Sequence, residues 1–176
     1  TEINAKYVLE CDKYPADMKS DNMIFDFDTI ADDDDIKIVV EVIGGANAAY
    51  EYSKKALLCK KSVVTSNKEL VDKHGAELIR IAHENNVNYL FEGLVGGAIP
   101  VIRPINTAFK GDRITSIKGI LNGTTNYILT QMSKYNKDYS FALKEAQSAG
   151  YAEQNPYADV LGHDAGRKIC ILTSLA

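Results

Sequence analysis

The sequence predicts an α/β protein. A partial doubly wound half over residues 1–91 is followed by an α+β half over residues 92–176. Three features carry that prediction. Residues 37–43 (KIVVEVI) form a nearly continuous β-branched run, as in a parallel strand buried on both faces. Strand and helix patterns then alternate at the spacing of a βαβ unit, whose crossover is right-handed. After residue 91 that alternation stops, and a glycine-rich loop at 92–100 (EGLVGGAIP) opens a different pattern.

Each element follows from local chemistry. Residues 6–10 (KYVLE) read as a short strand. Residues 12–35 are polar, with Pro15 and an acidic cluster at Asp26, Asp28 and residues 32–35. That spacing fits no calcium loop and reads as solvated surface. After the strand at 37–43, Gly44 and Gly45 make a turn, Asn47 caps a helix, and an apolar stripe runs over 48–60. Residues 62–65 (SVVT) are the next strand, 68–85 a helix with an expected break near Gly75, and 87–91 (VNYLF) another strand. In such sheets ligands bind beyond the carboxyl ends of the strands. In the second half a helix spans about 101–110, and 113–121 (RITSIKGIL) alternates as a strand does. Helices cover 124–135 and 140–148, the second capped by Ser140. A polar loop at 150–162 leads into a last, apolar helix.

Composition excludes several classes. The 176 residues are 45% hydrophobic and 25% charged, a mix that supports a globular core. The 20 basic and 24 acidic residues leave a net charge of −4 and no basic stripe, which argues against nucleic-acid binding. The adjacent pair Lys60 and Lys61 reads as a solvated helix end. No apolar run approaches the ~20 residues of a membrane span. Cys11, Cys59 and Cys170 are odd in number and lack C-x-x-C spacing, so they read as buried or half-buried thiols in a reducing cytosol. The opening TEINAKYV lacks the features of a signal peptide. The start at Thr1 and the stop at Ala176, inside a helical pattern, read as a fragment of a longer protein.

Four clusters could carry chemistry. Ser66, Asn67 and Lys68 follow directly on a parallel strand, where a lysine can pair with an anion or polarise a carbonyl. They also suit an ordinary exposed lysine, although a cation at a helix N-terminus is mildly unfavourable. The 92–99 loop offers a carboxylate and several carbonyls, either as a cation site or as a plain turn at Gly96 and Gly97. Residues 122–126 (NGTTN) could bind a carboxylate or simply cap a helix. The last cluster is the most informative: Gly150, Tyr151, Glu153, Asp159, Asp164 and Lys168. Asp164 and Lys168 are four apart and share a helix face, as a surface ion pair does. With Glu153 and Asp159 just ahead of an apolar helix, they also suggest an amine pocket with a lysine as proton carrier. A lysine of ordinary pKa, ~10.4, acts as a base near neutrality only when desolvated, and nearby carboxylates oppose that. His74, His83 and His163 show no ligand spacing, and G-x-G-x-x-G is absent.

Taken together, VVEVIGG (39–45), SVVTSNKELV (62–71), FEGLVGGAIPVIRP (91–104), GILNGTTNYIL (119–129) and EAQSAGYAEQNPYADVLGHDAGRK (145–168) resemble homoserine dehydrogenase over essentially the full chain. The resemblance implies a partial Rossmann-like NAD(P)-binding domain and a partial catalytic and dimerisation domain. It implies an oxidoreductase interconverting L-homoserine and L-aspartate 4-semialdehyde in threonine and methionine biosynthesis. By the same resemblance Lys168 is the proton-transfer lysine, and Lys68 the second catalytic lysine, near the nicotinamide. Glu153, Asp159 and Asp164 belong to the substrate-amine site, with Gly123, Thr124 and Tyr151 as pocket residues. Ile43, Gly44, Lys68 and Gly150 are cofactor positions, and Glu92, Val95, Gly97 and Ile99 a monovalent cation site for Na or K.

The expected cofactor is NADP or NAD. Lys13 suits a 2′-phosphate and Asp12 the ribose hydroxyls, with a lean to NADP. The expected partners are an amino-acid substrate and a second copy in a homodimer, without nucleic acid or membrane, in the cytoplasm. The resemblance also places the pyrophosphate-binding glycine loop before Thr1. The alternative is a catalytically incomplete fragment that folds and dimerises without turnover. Gly166, mid-helix at a cost of ~1 kcal/mol, reads as a close-packing point.

Overall fold

The computed structural model describes residues 3–10, 22–97 and 99–176. Asp12, Lys13 and Cys11 lie outside the described residues. The chain divides into two compact units, Thr1–Phe91 and Glu92–Ala176.

In the first unit β1 (Val8–Leu9) pairs in parallel with β2 (Met23–Ile24). β2 was not expected, because the short apolar run Met23, Ile24 and Phe25 in a polar stretch gives no pattern to read. A short helix, α1 (Asp28–Ala31), buries Ile30 and Ala31, and Phe27 stacks on Tyr52 at 4.8 Å between centroids. The acidic run is solvated as expected, and Lys6 pairs with Asp33 at 2.7 Å. That ammonium, hydrogen-bonded to the carboxylate, holds the Asp33 carboxyl below its usual range.

The main sheet has the order β3 (Ile38–Glu41), β4 (Ser62–Thr65), β5 (Tyr89–Leu90), all parallel, with Val39 opposite Val63 and Val63 opposite Tyr89. The crossovers are α2 (Asn47–Leu58) and α3 (Lys68–Glu84). Both step the same way across the sheet, so right-handed connections put both helices on one face. They pack on each other and on the strands. Leu57, Val63, Leu70 and Leu78 form the fully buried centre. Lys54, Glu77 and Tyr50 tie the two helices together at 2.8–3.0 Å.

This arrangement corrects the expectation of a strand buried on both faces. Ile38, Val40 and Val42 point to the other side and are exposed, Val40 at 66%. The β-branched run records the strand and does not record its covering. Three smaller expectations are also corrected. Asn47 is the first helical residue, not the cap, and no side-chain bond caps α2. α3 runs through Gly75 without a break. Lys61 is buried, not solvated, with its Nζ donating to the carbonyls of Asp33 and Ile36.

The second unit opens with a 3-10 turn at Glu92–Leu94 and α4 (Ile102–Thr107). Residues 113–121 form no ladder among the described residues, contrary to the expected strand, and Ile120 is exposed. Alternation is necessary for a strand, but pairing makes one. α5 (Gly123–Tyr135) and α6 (Tyr139–Ser148) close on Ile128, Ala142, Ala146 and Ala152. Asp138, not Ser140, stands at the start of α6. α7 (Tyr157–Val160) interrupts the expected loop, and α8 (His163–Leu175) follows. A Cβ on Gly166 would meet nothing within 4 Å, so close packing does not explain that glycine. Cys59 and Cys170 are exposed, not half-buried. No helix among the described residues is long and apolar enough to cross a membrane.

The covered and uncovered faces differ in what they tolerate. Leu78→Ala is expected to lower stability by about 2–5 kcal/mol, and Val40→Ala by less than about 0.5 kcal/mol, in denaturant titrations of the two variants.

Candidate functional site

The carboxyl edge of the main sheet is organised around one buried acid. Glu41, 4% exposed, ends β3. Its Oε1 accepts from the Ile43 N–H at 2.7 Å, and its Oε2 accepts from the Thr65 hydroxyl. Thr65 Oγ1 in turn accepts from the Asn67 N–H at 3.0 Å. Asn67 works at both ends of its amide. Oδ1 accepts from the Leu70 N–H at 3.0 Å and caps α3, while Nδ2 donates to the carbonyls of Ile43 (2.9 Å) and Gly45 (2.6 Å). The two turns at this edge are therefore tied together, with Lys68 as the first residue of α3. Gly45 adopts φ 78°, and a Cβ on Gly44 or Gly45 would meet nothing within 4 Å. Gly44 is exposed, so this turn leaves space at the sheet edge, while both backbone polar groups of Ile43 are already engaged. On β5 the buried Tyr89 phenol has no hydrogen-bond partner among the described residues. Burial first, and the Glu41 charge second, push that phenol well above its usual range.

In the second unit the acidic residues and the lysine come together. Lys168 Nζ lies 2.6 Å from Asp164 Oδ2 and donates to the Leu121 carbonyl at 2.7 Å. The side chains of Lys168 and Asp164 are 16% and 13% exposed, so this is no solvated surface pair. Asn122 joins the group: its Nδ2 donates to Asp159 Oδ1 at 2.7 Å and to Asp164 Oδ2 at 3.1 Å. Lys168, Asp164 and Asp159 thus form one hydrogen-bonded cluster.

The remaining expected residues fall around or outside it. Gly123 opens α5. Thr124, buried, donates its hydroxyl to the Tyr151 carbonyl at 2.6 Å. The Tyr151 ring is exposed and stacks on Tyr127 at 4.8 Å. Gly150, at φ 76°, turns the chain out of α6. Glu153 is exposed, and its backbone carbonyl accepts from Gln147 Nε2 at 3.2 Å. Among the described residues, no hydrogen bond joins its carboxylate to the cluster.

The expected cation residues are arranged for another task. Glu92 Oε1 accepts from the N–H groups of Val101 (2.8 Å) and Ile102 (3.0 Å), and Oε2 from that of Arg103 (2.8 Å). The carboxylate caps α4, and an anion there complements the helix dipole. The Gly97 carbonyl accepts from the Ile99 N–H. Val95 is buried and Ile99 exposed. Three amides thus occupy three of the carboxylate's four lone-pair sites.

Reading by residue type missed Asn122 as a member of the cluster and overlooked Glu41 and Thr65. A signal existed for Glu41, since a carboxylate inside a β-branched run needs partners when buried. Asn122 gave a weaker one: among capping residues, asparagine also offers two donors.

Fold and site together define a class, a two-unit protein joining a nucleotide-binding type of parallel sheet to a carboxylate–lysine centre. Residues 2–92 match the family model described as homoserine dehydrogenase, NAD binding domain, and residues 100–176 match the homoserine dehydrogenase model. The chain belongs to the homoserine dehydrogenase family. It is 44% identical to a homoserine dehydrogenase of Bacillus subtilis over 176 residues, which is 98% of this chain and 41% of that protein. A homoserine dehydrogenase structure from Thiobacillus denitrificans superposes with a TM-score of 0.80 at 40% identity, over 86% of this chain and 35% of that one. A hyperthermophilic archaeal homoserine dehydrogenase in complex with NADPH gives 0.77 at 34% identity, over 86% and 47%. The chain thus spans less than half the length of these relatives.

Asn67 offers a test of the edge. Asn67→Ala loses the cap and both N–H donors and is expected to cost about 2 kcal/mol, whereas Asn67→Asp keeps the cap and costs about half as much, read as shifts in the equilibrium unfolding midpoint.

Proposed function

We propose that this chain carries residues of an NAD(P)-dependent oxidoreductase interconverting L-homoserine and L-aspartate 4-semialdehyde. The observation that carries the reading is the half-buried Lys168–Asp164 pair joined through Asn122 to Asp159, in a chain of this family. A nicotinamide cofactor, when bound, supplies or accepts the hydride.

Lys168 is the proton carrier. Two of its N–H groups point at Leu121 O and Asp164 Oδ2, which leaves a third for the substrate oxygen. In the reductive direction it protonates the forming alkoxide, and in the oxidative direction it takes the hydroxyl proton. Lys68 is assigned the electrostatic stabilisation of developing negative charge. Asp159, Asp164 and Glu153 are assigned to the substrate ammonium, and Gly123, Thr124 and Tyr151 to the pocket wall. Thr124 acts through its bond to Tyr151, since its hydroxyl is already engaged.

Ile43, Gly44, Lys68 and Gly150 are assigned to the cofactor, and the open glycine turn supports that assignment. The NADPH complex of the archaeal relative favours NADP. No step is assigned to a cation. The reading includes a cytoplasmic homodimer, and the exposed Ile120 in residues 113–121 supports an apolar contact there.

The test follows NADPH consumption with aspartate semialdehyde in the longest natural polypeptide carrying this sequence. Lys168→Ala is expected to lower turnover by about 10²–10⁴-fold with the fold retained, and unchanged turnover would exclude Lys168 as proton carrier.

A further inference from the structure

Asn122 uses its whole hydrogen-bonding capacity. Its Oδ1 accepts from the Thr125 N–H at 2.8 Å and the Thr125 hydroxyl at 2.9 Å. Its Nδ2 donates to Asp159 at 2.7 Å and Asp164 at 3.1 Å. A primary amide has two acceptor lone pairs and two donors, so nothing is left over. The side chain is 7% exposed, and the donor and acceptor sides cannot be exchanged without facing N–H against N–H and oxygen against carboxylate.

That arrangement constrains the acids more than the helix. Any good N-cap would serve Thr125 and α5, and serine or aspartate caps as well as asparagine. Only an amide caps the helix and also donates to two carboxylates. Two carboxylates in a half-buried site repel one another and turn freely unless donors hold them. Asn122 supplies one donor to each. It shares Asp164 Oδ2 with Lys168, and the preceding carbonyl, Leu121 O, takes a second Lys168 proton. Residues 121 and 122 therefore hold both members of the ion pair. At Asp159 the amide takes Oδ1 and leaves Oδ2 for a ligand cation.

We infer that Asn122 is a positioning residue that sets the carboxylates of Asp159 and Asp164 for the ammonium of the amino-acid substrate. It acts through those acids and does not itself touch the substrate. The inference rests on the functional reading above.

The experiment compares Asn122→Ser and Asn122→Asp with the parent in the longest natural polypeptide carrying this sequence. L-homoserine and NADP are the substrates, and thermal unfolding is run in parallel. Both variants keep a cap and lose the amide donors. The expected result is a KM for L-homoserine raised at least about tenfold in Asn122→Ser, and further in Asn122→Asp, which adds a third carboxylate. The KM for NADP stays within about twofold, because no bond of Asn122 reaches the cofactor positions. A purely structural role would reduce active enzyme, and hence kcat, with KM unchanged.

A parental KM for L-homoserine in folded Asn122→Ser overturns the inference and leaves the functional reading standing. So does a midpoint lowered by more than about 10 °C in both variants, which would make Asn122 a determinant of folding. A folded parent without homoserine-dependent turnover overturns the functional reading and the inference with it.

Discussion

A half-buried ammonium beside a half-buried carboxylate sets the terms for the second unit. Drying either charge costs several kcal/mol unless geometry and further hydrogen bonds compensate, and losing one partner strands the other. Lys168 and Asp164 meet at 2.6 Å, and the chain surrounds them with satisfied groups. Leu121 gives a carbonyl and Asn122 an amide. Asn122 can do so because its extended backbone, φ −133° and ψ 124°, turns directly into α5. Gly162, at φ 78°, makes the matching turn into α8, which carries both charges. The turns exist where they do because the charges must be met from both sides.

The same solution occurs at the carboxyl edge of the parallel sheet. There too an asparagine caps a helix with its oxygen and ties a neighbouring element with its nitrogen. Asn67 holds the Ile43–Gly45 backbone, and Asn122 holds two acids. Serine or threonine would cap equally well and leave the second task undone. Glu92 inverts the scheme, with one carboxylate collecting three amides at the start of α4. Each device places fixed polar groups at a helix start, where unpaired N–H groups otherwise remain.

Much of this was legible in the sequence. The run at 62–65 marked β4 residue for residue, and the helix read over 68–85 matches α3 to within a residue at its end. The acids and lysine of residues 159–168 stood out because charges ahead of an apolar helix are unusual. What was not legible depended on partners distant in sequence. Residues 113–121 alternate, yet no second strand stands beside them among the described residues. The outward face of β3, Ile38 and Val40, is more apolar than the inward face with Val39 and Glu41, so composition could not say which was covered. Lys61 looked solvated because its partners, the carbonyls of Asp33 and Ile36, are about as far away in sequence as one βα unit. The capping role of Glu92 was not legible because its amide partners lie nine to eleven residues on, beyond a glycine turn.

Local rules are kept across most of the chain and broken at a few positions, which is where function is expected. Lys68 is such a position. A cation in the first turn of a helix opposes the dipole by about 0.3–1 kcal/mol, and the Asn67 cap would serve any residue there equally. Glu69 follows in the same turn, so the local charge is offset but not removed. Lys68 stands at the carboxyl end of the sheet, one residue beyond the asparagine that fixes the open glycine turn. A lysine at that end of a helix, on the edge where parallel sheets receive their ligands, is what the proposed electrostatic role of Lys68 asks for.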